Sequence, residues 1–146
     1  MLSPRDPAQV QPPANGPPIV IPAWQLGLCF ALEVGALLAL GRYAGGLGRG
    51  AWSYVAALGD PACAALVWAT FAVQGDPPSR SGKAPIPVPG GPRLAIELAV
   101  FLGGAAALAA RQSWVAFALF MVALVVHHAM TTDRLTWLLR QELFRR

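Results

Sequence analysis

Four long apolar stretches set the plan of the chain, with glycine, proline and arginine collected between them. The first, Trp24 to Tyr43 (WQLGLCFALEVGALLALGRY), is apolar almost throughout. At about 1.5 Å of rise per residue it has the length that crosses a bilayer core. The segment GRYAGGLGRG follows, and its glycines predict the end of the helix. The second stretch, residues 52–73, carries Gly59-Asp60-Pro61 in its interior. Proline removes a helix hydrogen bond and crowds the preceding turn, which predicts a kink. Residues 74–92 (QGDPPSRSGKAPIPVPGGP) read as the one substantial loop. The third helix is predicted over 94–110, with Arg93 just before it, and Arg111-Gln112-Ser113 form a tight turn. The fourth is predicted over 114–130. Beyond it Leu135, Leu138, Leu139 and Leu143 recur at helical spacing among arginines, an amphipathic extension to about residue 143 at the interface.

The expected architecture is therefore all-α: a polytopic membrane protein built as a four-transmembrane-helix bundle over residues 24–146, in the cell membrane. Residues 1–23, proline-rich and poor in large apolar groups, read as a disordered tail rather than a signal peptide. Composition agrees with this plan, since charged residues are 12% of the chain against about 25% in soluble domains. Arg5, Arg80, Lys83, Arg93, Arg134, Arg140, Arg145 and Arg146 fall on one side if the spans alternate, and Arg42, Arg49 and Arg111 on the other. The positive-inside rule then puts both termini in the cytoplasm. The net charge of +4 bears on orientation and anionic lipid; without a basic patch interleaved with aromatics, nucleic acid is not an expected partner. Cys29 and Cys63 lie in apolar runs and read as small buried hydrophobes.

The chemistry lies in the few ionisable groups at membrane depth. Glu33 sits roughly 13 Å into the first helix, and a carboxyl there is costly unless protonated, paired or facing a polar cavity. With no local partner, its counterion is expected from another helix. Glu97 sits roughly 5 Å into the third helix at i,i+4 from Arg93, so the two are expected to neutralise each other. Its face is Arg93, Glu97, Phe101 and Gly104. Opposite runs a smooth stripe of Ala95, Ala99, Gly103 and Ala107, suited to a neighbouring helix or a second copy of the chain. His127 and His128 close the fourth helix, and only one can face inward, because neighbours differ by about 100°. Asp133 and Arg134 follow on the same side; Asp60 lies near the midplane. Adjacent histidines do not make a metal site, and no phosphate loop, dinucleotide fingerprint or Ser-His-Asp arrangement is present, so no metal or cofactor is expected.

Three pieces of the chain together resemble the YrdB-like family of small bacterial integral membrane proteins, a domain of unknown function. They are FALEVGALLALGRYAG, GDPACAALVWATF and VVHHAMTTDRLTWLLRQ; RLAIELAVF matches the family's third helix. The family shows His-Tyr and Ser-Tyr-Asp-Arg in its tail, where this chain has His127-His128 and Thr131-Thr132-Asp133-Arg134. Asp60 also departs from the pattern. The resemblance implies four spans and a shared set of Glu33, Pro61, Trp68, Arg93, Glu97, His127, Asp133 and Arg134.

Three functional readings follow. In the first, a membrane-embedded site binds or transforms a lipophilic, isoprenoid- or lipid-like molecule by acid–base chemistry of cyclase, isomerase or hydrolase type. Glu33, Glu97, His127 and Asp60 are then the candidate catalytic groups, and Arg93, Trp68, Asp133 and Arg134 the candidate substrate contacts. Glu33 would be acid or base, His127 a relay, and Arg93 the holder of an anionic group. In the second the chain is a proton-coupled small exporter. In the third it is a structural or accessory subunit whose charges bind helix to helix.

Overall fold

Small residues decide where the helices meet. In the computed structural model, which describes residues 22–73, 76 and 85–143, five helices and one two-residue strand pair follow in order. They are α1 (Ala23–Leu47), α2 (Ala51–Thr70), β1 (Phe71–Ala72), β2 (Ile86–Pro87), α3 (Gly90–Ala110), α4 (Trp114–Met130) and α5 (Thr132–Leu143). The proline-rich tail predicted for residues 1–23 lies outside the described residues except for its last two, and so does most of the 74–92 loop.

α1 begins at Pro22, whose fixed φ of −59° suits a helix entrance. It then runs through Gly41, Gly45 and Gly46 to Leu47, several residues past the predicted end. These glycines pack rather than break. A methyl group on Gly41 would lie 2.5 Å from the Ala57 carbonyl oxygen, and one on Gly45 would lie 2.9 Å from the Ala57 Cβ. Glycines four apart leave a groove that admits another backbone, the device by which membrane helices associate without a hydrophobic driving force. Ser53 Oγ donates to the Gly45 carbonyl across the same seam at 2.5 Å. The chain reverses at Gly50, whose φ of +58° favours glycine.

α2 runs unbroken through Pro61. It ends at Thr70, short of the predicted residue 73, because Phe71 and Ala72 leave the helix to pair in parallel with Ile86 and Pro87. The Val88 N–H extends the ladder to the Ala72 carbonyl at 3.0 Å. Prolines at 85, 87 and 89 hold this return strand extended. The pairing draws the two ends of the long loop together beside the entrance of α3.

α3 contacts α1 through Gly104, where an added Cβ would lie 2.7 Å from the Ala36 Cα. The face that turns inward is Arg93, Glu97, Phe101 and Gly104, together with Ala105 and Ala107. The predicted stripe does not make the contact as a unit, since Ala95 and Ala99 are exposed and only Ala107 at its far end is buried. The core is Leu32 and Ala36 from α1, Phe101 and Ala105 from α3, and Phe120 and Leu124 from α4. α4 and α5 meet at Thr131 with a bend of 66°. The predicted extension is thus a separate helix. It crosses the end of the bundle, with Leu138 buried so close to Gly90 that a side chain there would overlap the Leu138 carbonyl.

The outer surface is apolar: Phe30, Leu38, Tyr54, Leu58, Leu66, Val115, Leu119 and Val122 are all exposed. Among the described residues α1 and α3 are each long and apolar enough to cross a membrane, and α4 with α5 counts as a third candidate if the bent pair is one span. α2, which carries Asp60 and Pro61, falls short of that hydropathy. Cys63 is exposed and Cys29 half-buried, so neither behaves as a fully buried core residue.

The α1–α3 contact yields a direct test. Gly104→Ala sets a methyl group against the Ala36 backbone and should cost about 1–3 kcal/mol, as overpacking does. Gly27→Ala, at a position with nothing within 4 Å, should stay within about 0.5 kcal/mol. Reversible unfolding of the two variants in mixed micelles measures both.

Candidate functional site

The polar groups gather at one end of the bundle, where the C-termini of α2 and α4 meet the N-termini of α1 and α3 and α5 lies across them. Such ends expose backbone carbonyls that cannot be left bare in an apolar medium. Several side chains meet this need. Arg93 Nη1 donates to the carbonyls of Trp68 at 3.0 Å and Phe71 at 3.3 Å, closing the end of α2. Gln25 Nε2 donates to the Met130 carbonyl at 2.8 Å, closing α4 from α1. The Thr131 hydroxyl donates to the His127 carbonyl at 2.8 Å. The Arg93 guanidinium also lies over the Trp68 ring, 4.7 Å from its centre.

Arg134 is the centre of charge. Its Nε and Nη2 donate to the two carboxylate oxygens of Asp76 at 3.0 and 2.9 Å. Its Nη1 and Nη2 donate to the two oxygens of Glu97, both at 3.0 Å. Arg134 and Asp76 are each 4% exposed and Glu97 is 1% exposed, so this is a buried, doubly bidentate arrangement. It corrects the expected Arg93–Glu97 pair. Glu97 turns to the planar fork of Arg134, while the i,i+4 neighbour Arg93 serves helix carbonyls and an indole.

A layer of rings lies under the charges. Phe101, fully buried, meets Trp68 edge-on with centres 5.3 Å apart, and meets His127 and His128 at 6.4 and 6.3 Å. Of the two histidines, His127 is the buried one. Among the described residues neither of its ring nitrogens has a hydrogen-bond partner, and the buried Arg93 Nε likewise has none. His128 Nδ1 meets the Leu124 carbonyl at 3.0 Å, which makes Nδ1 its protonated nitrogen.

Glu33 stands apart from the ion pairs. The expected counterion from another helix is missing among the described residues, and the contact it has is a 3.4 Å bond from Cys29 Sγ on its own helix. Half-buried, it lines a cavity of about 110 Å³ with Leu37 of α1, Ala64, Ala65 and Trp68 of α2 and Val100 of α3. Apart from the carboxyl, this lining is apolar except for the indole N–H.

Six of the eight candidate residues therefore fall into two neighbouring groups that share Trp68: Glu33 with the cavity, and Arg93, Glu97, Arg134 and His127 with the closed bundle end. Two do not. Asp60 is on the exposed side of α2 and none of these contacts reaches it. Asp133 is exposed on the first turn of α5, pointing away from its buried neighbour Arg134, as adjacent helical residues must. Asp76 is the partner that sequence reasoning passed over. Its signal was slight: one acid just before Pro77-Pro78 in a loop, with nothing in the spacing to link it to a residue 58 positions on.

Residues 27–126 match the family described as "Protein of unknown function (DUF2568)". The "Uncharacterized protein YrdB" of Bacillus subtilis (strain 168) is 40% identical over 114 residues, spanning 78% of this chain and 92% of that protein. No solved structure gives a significant match.

The ion-pair network generates a test of its own. Arg134→Ala strands two buried carboxylates and should cost about 3–5 kcal/mol. Arg134→Lys, which keeps the charge and loses the fork, should recover only part of that. Asp133→Ala should unfold as the wild type does. Unfolding of the three variants by chemical denaturant in detergent ranks them.

Proposed function

The chain belongs to this family of unknown function, DUF2568, and on that premise we propose that it is a four-span protein of the cell membrane that binds a lipophilic molecule at Glu33. Both termini lie in the cytoplasm on this reading, with α2 as the fourth span. The distribution of arginine and lysine supports it, and so do Trp24, Trp52 and Trp114, exposed at three helix starts as interfacial anchors are. α2 is 20 residues long, enough to cross, and its close seam with α1 offsets its lower hydropathy.

One observation carries the binding reading. Glu33 is a carboxyl at membrane depth that makes no ion pair among the described residues and faces an otherwise apolar cavity. Intramembrane acids are costly, and those kept are functional by default. The cavity of about 110 Å³ is somewhat smaller than the roughly 150 Å³ void that holds benzene in an engineered core. It suits one end of a molecule, the remainder lying against the exposed apolar face of the bundle. Glu33 is the group positioned to exchange a proton with such a molecule. His127, whose ring nitrogens have no hydrogen-bond partner among the described residues, packs against Phe101 outside the cavity lining. The Arg134 network holds the end of the bundle shut and stands outside the chemistry.

Native mass spectrometry of the protein, released from nanodiscs made with bacterial lipid extract, tests this. The wild type should retain a discrete lipophilic adduct. Ala64→Leu, which fills the cavity, and Glu33→Gln, which keeps its shape, should lose it. A wild type without an adduct, or variants that keep the same one, would overturn the reading. Greater stability of Glu33→Gln with an unchanged adduct would favour the accessory-subunit role.

A further inference from the structure

We infer that the molecule bound at Glu33 is a lipophilic cation, with an ammonium-type head seated in the cavity against the Glu33 carboxylate. This rests on the binding reading above and adds the sign of the ligand's charge.

The argument is one of charges already committed. Three carboxylates lie at this end of the bundle or next to it, those of Asp76, Glu97 and Glu33, against two guanidiniums, those of Arg134 and Arg93. Arg134 is shared by Asp76 and Glu97, with all four of their oxygens on its fork. One positive charge therefore already serves two negative ones. Arg93 is held by the Trp68 and Phe71 carbonyls, the negative end of α2. It makes no ion pair among the described residues. Asp133 and Asp60 are exposed and make no ion pair with these groups among the described residues, so they stand outside this count. Among the described residues these groups are thus one positive charge short, and Glu33 is the carboxylate that makes no ion pair.

The two histidines do not fill that gap. His127 and His128 lie on α4 around Phe101, and neither lines the cavity. A second anion at Glu33 would double the deficit, whereas a cation closes it. The lining favours the same choice. Leu37, Ala64, Ala65 and Val100 accept the alkyl groups around an ammonium nitrogen, and Trp68 adds the ring carbon surface that such heads pack on. Glu97 and the two arginines are absorbed by their own partners.

Titration calorimetry of the full chain in nanodiscs, with empty discs subtracted, tests the inference with three probes of equal chain length: n-hexylammonium, n-hexanol and n-hexanoate. Hexylammonium should bind at least about tenfold more tightly than hexanol, and hexanoate should not bind. Glu33→Gln should erase the preference for the ammonium, and Ala64→Leu should abolish binding of both. Equal affinity for hexylammonium and hexanol, lost together in Ala64→Leu, would leave the pocket standing and overturn the charge assignment. Preference for hexanoate would overturn it too. If none of the three binds the wild type, both the pocket and its charge preference fall. The wild-type comparison needs no variant to fold.

Discussion

A single guanidinium holds two carboxylates where water is scarce, and the arrangement of one end of the molecule follows from that. Arg134 lies on α5, Glu97 on α3 and Asp76 in the connection between α2 and α3. Joining them draws α5 across the bundle, at 66° to α4. The fork geometry of arginine matters here, because a point charge could not face both carboxylates along two parallel bonds each. Burial raises the stakes: a lost partner leaves an uncompensated charge in a low-dielectric medium, far costlier than breaking a surface pair. The mutual gain of such a set is modest next to its desolvation. Its use is to specify one docking of α5 rather than many.

The remainder of the bundle is held by shape. Gly41 and Gly45 admit α2, Gly104 admits Ala36, and Gly90 admits the backbone of Leu138. In a lipid environment apolar side chains gain little by leaving one hydrocarbon neighbour for another, so close backbone approach and dispersion supply the association. The large apolar residues are accordingly free to face outward, as the exposed Phe30, Leu38 and Leu119 do. This is the reverse of a water-soluble core, and the sparse charges agree with it.

Between the ionic end and the glycine seams lies the cavity at Glu33. Its position next to Trp68 ties it to the closed end without making it part of the ion-pair set: Trp68 carries Arg93 on its ring, gives its carbonyl to the same guanidinium, and lines the cavity. A ligand there would touch Trp68, one of the residues through which Arg93 closes α2. The geometry therefore sets two kinds of carboxyl near each other, those that fasten helices through Arg134 and the one at Glu33 that makes no ion pair among the described residues.

Read alone, the amino-acid sequence determined that the chain is helical and apolar outside, that its ionisable groups are few, that the face bearing Arg93, Glu97 and Phe101 is special, and that His127 and His128 cannot both turn inward. Those conclusions follow from composition and from the 3.6-residue period, which act locally. Tertiary structure alone decided who pairs with whom. Glu97 prefers Arg134 to its own neighbour Arg93, Glu33 is without the expected counterion among the described residues, Asp60 stays outside, and Asp76 enters. It also turned Gly41 and Gly45 from helix breakers into a packing seam. The reason is the same in each case: a side chain's partner at buried depth is set by which backbones approach within reach of it, and that distance is fixed by contacts between residues far apart in the chain.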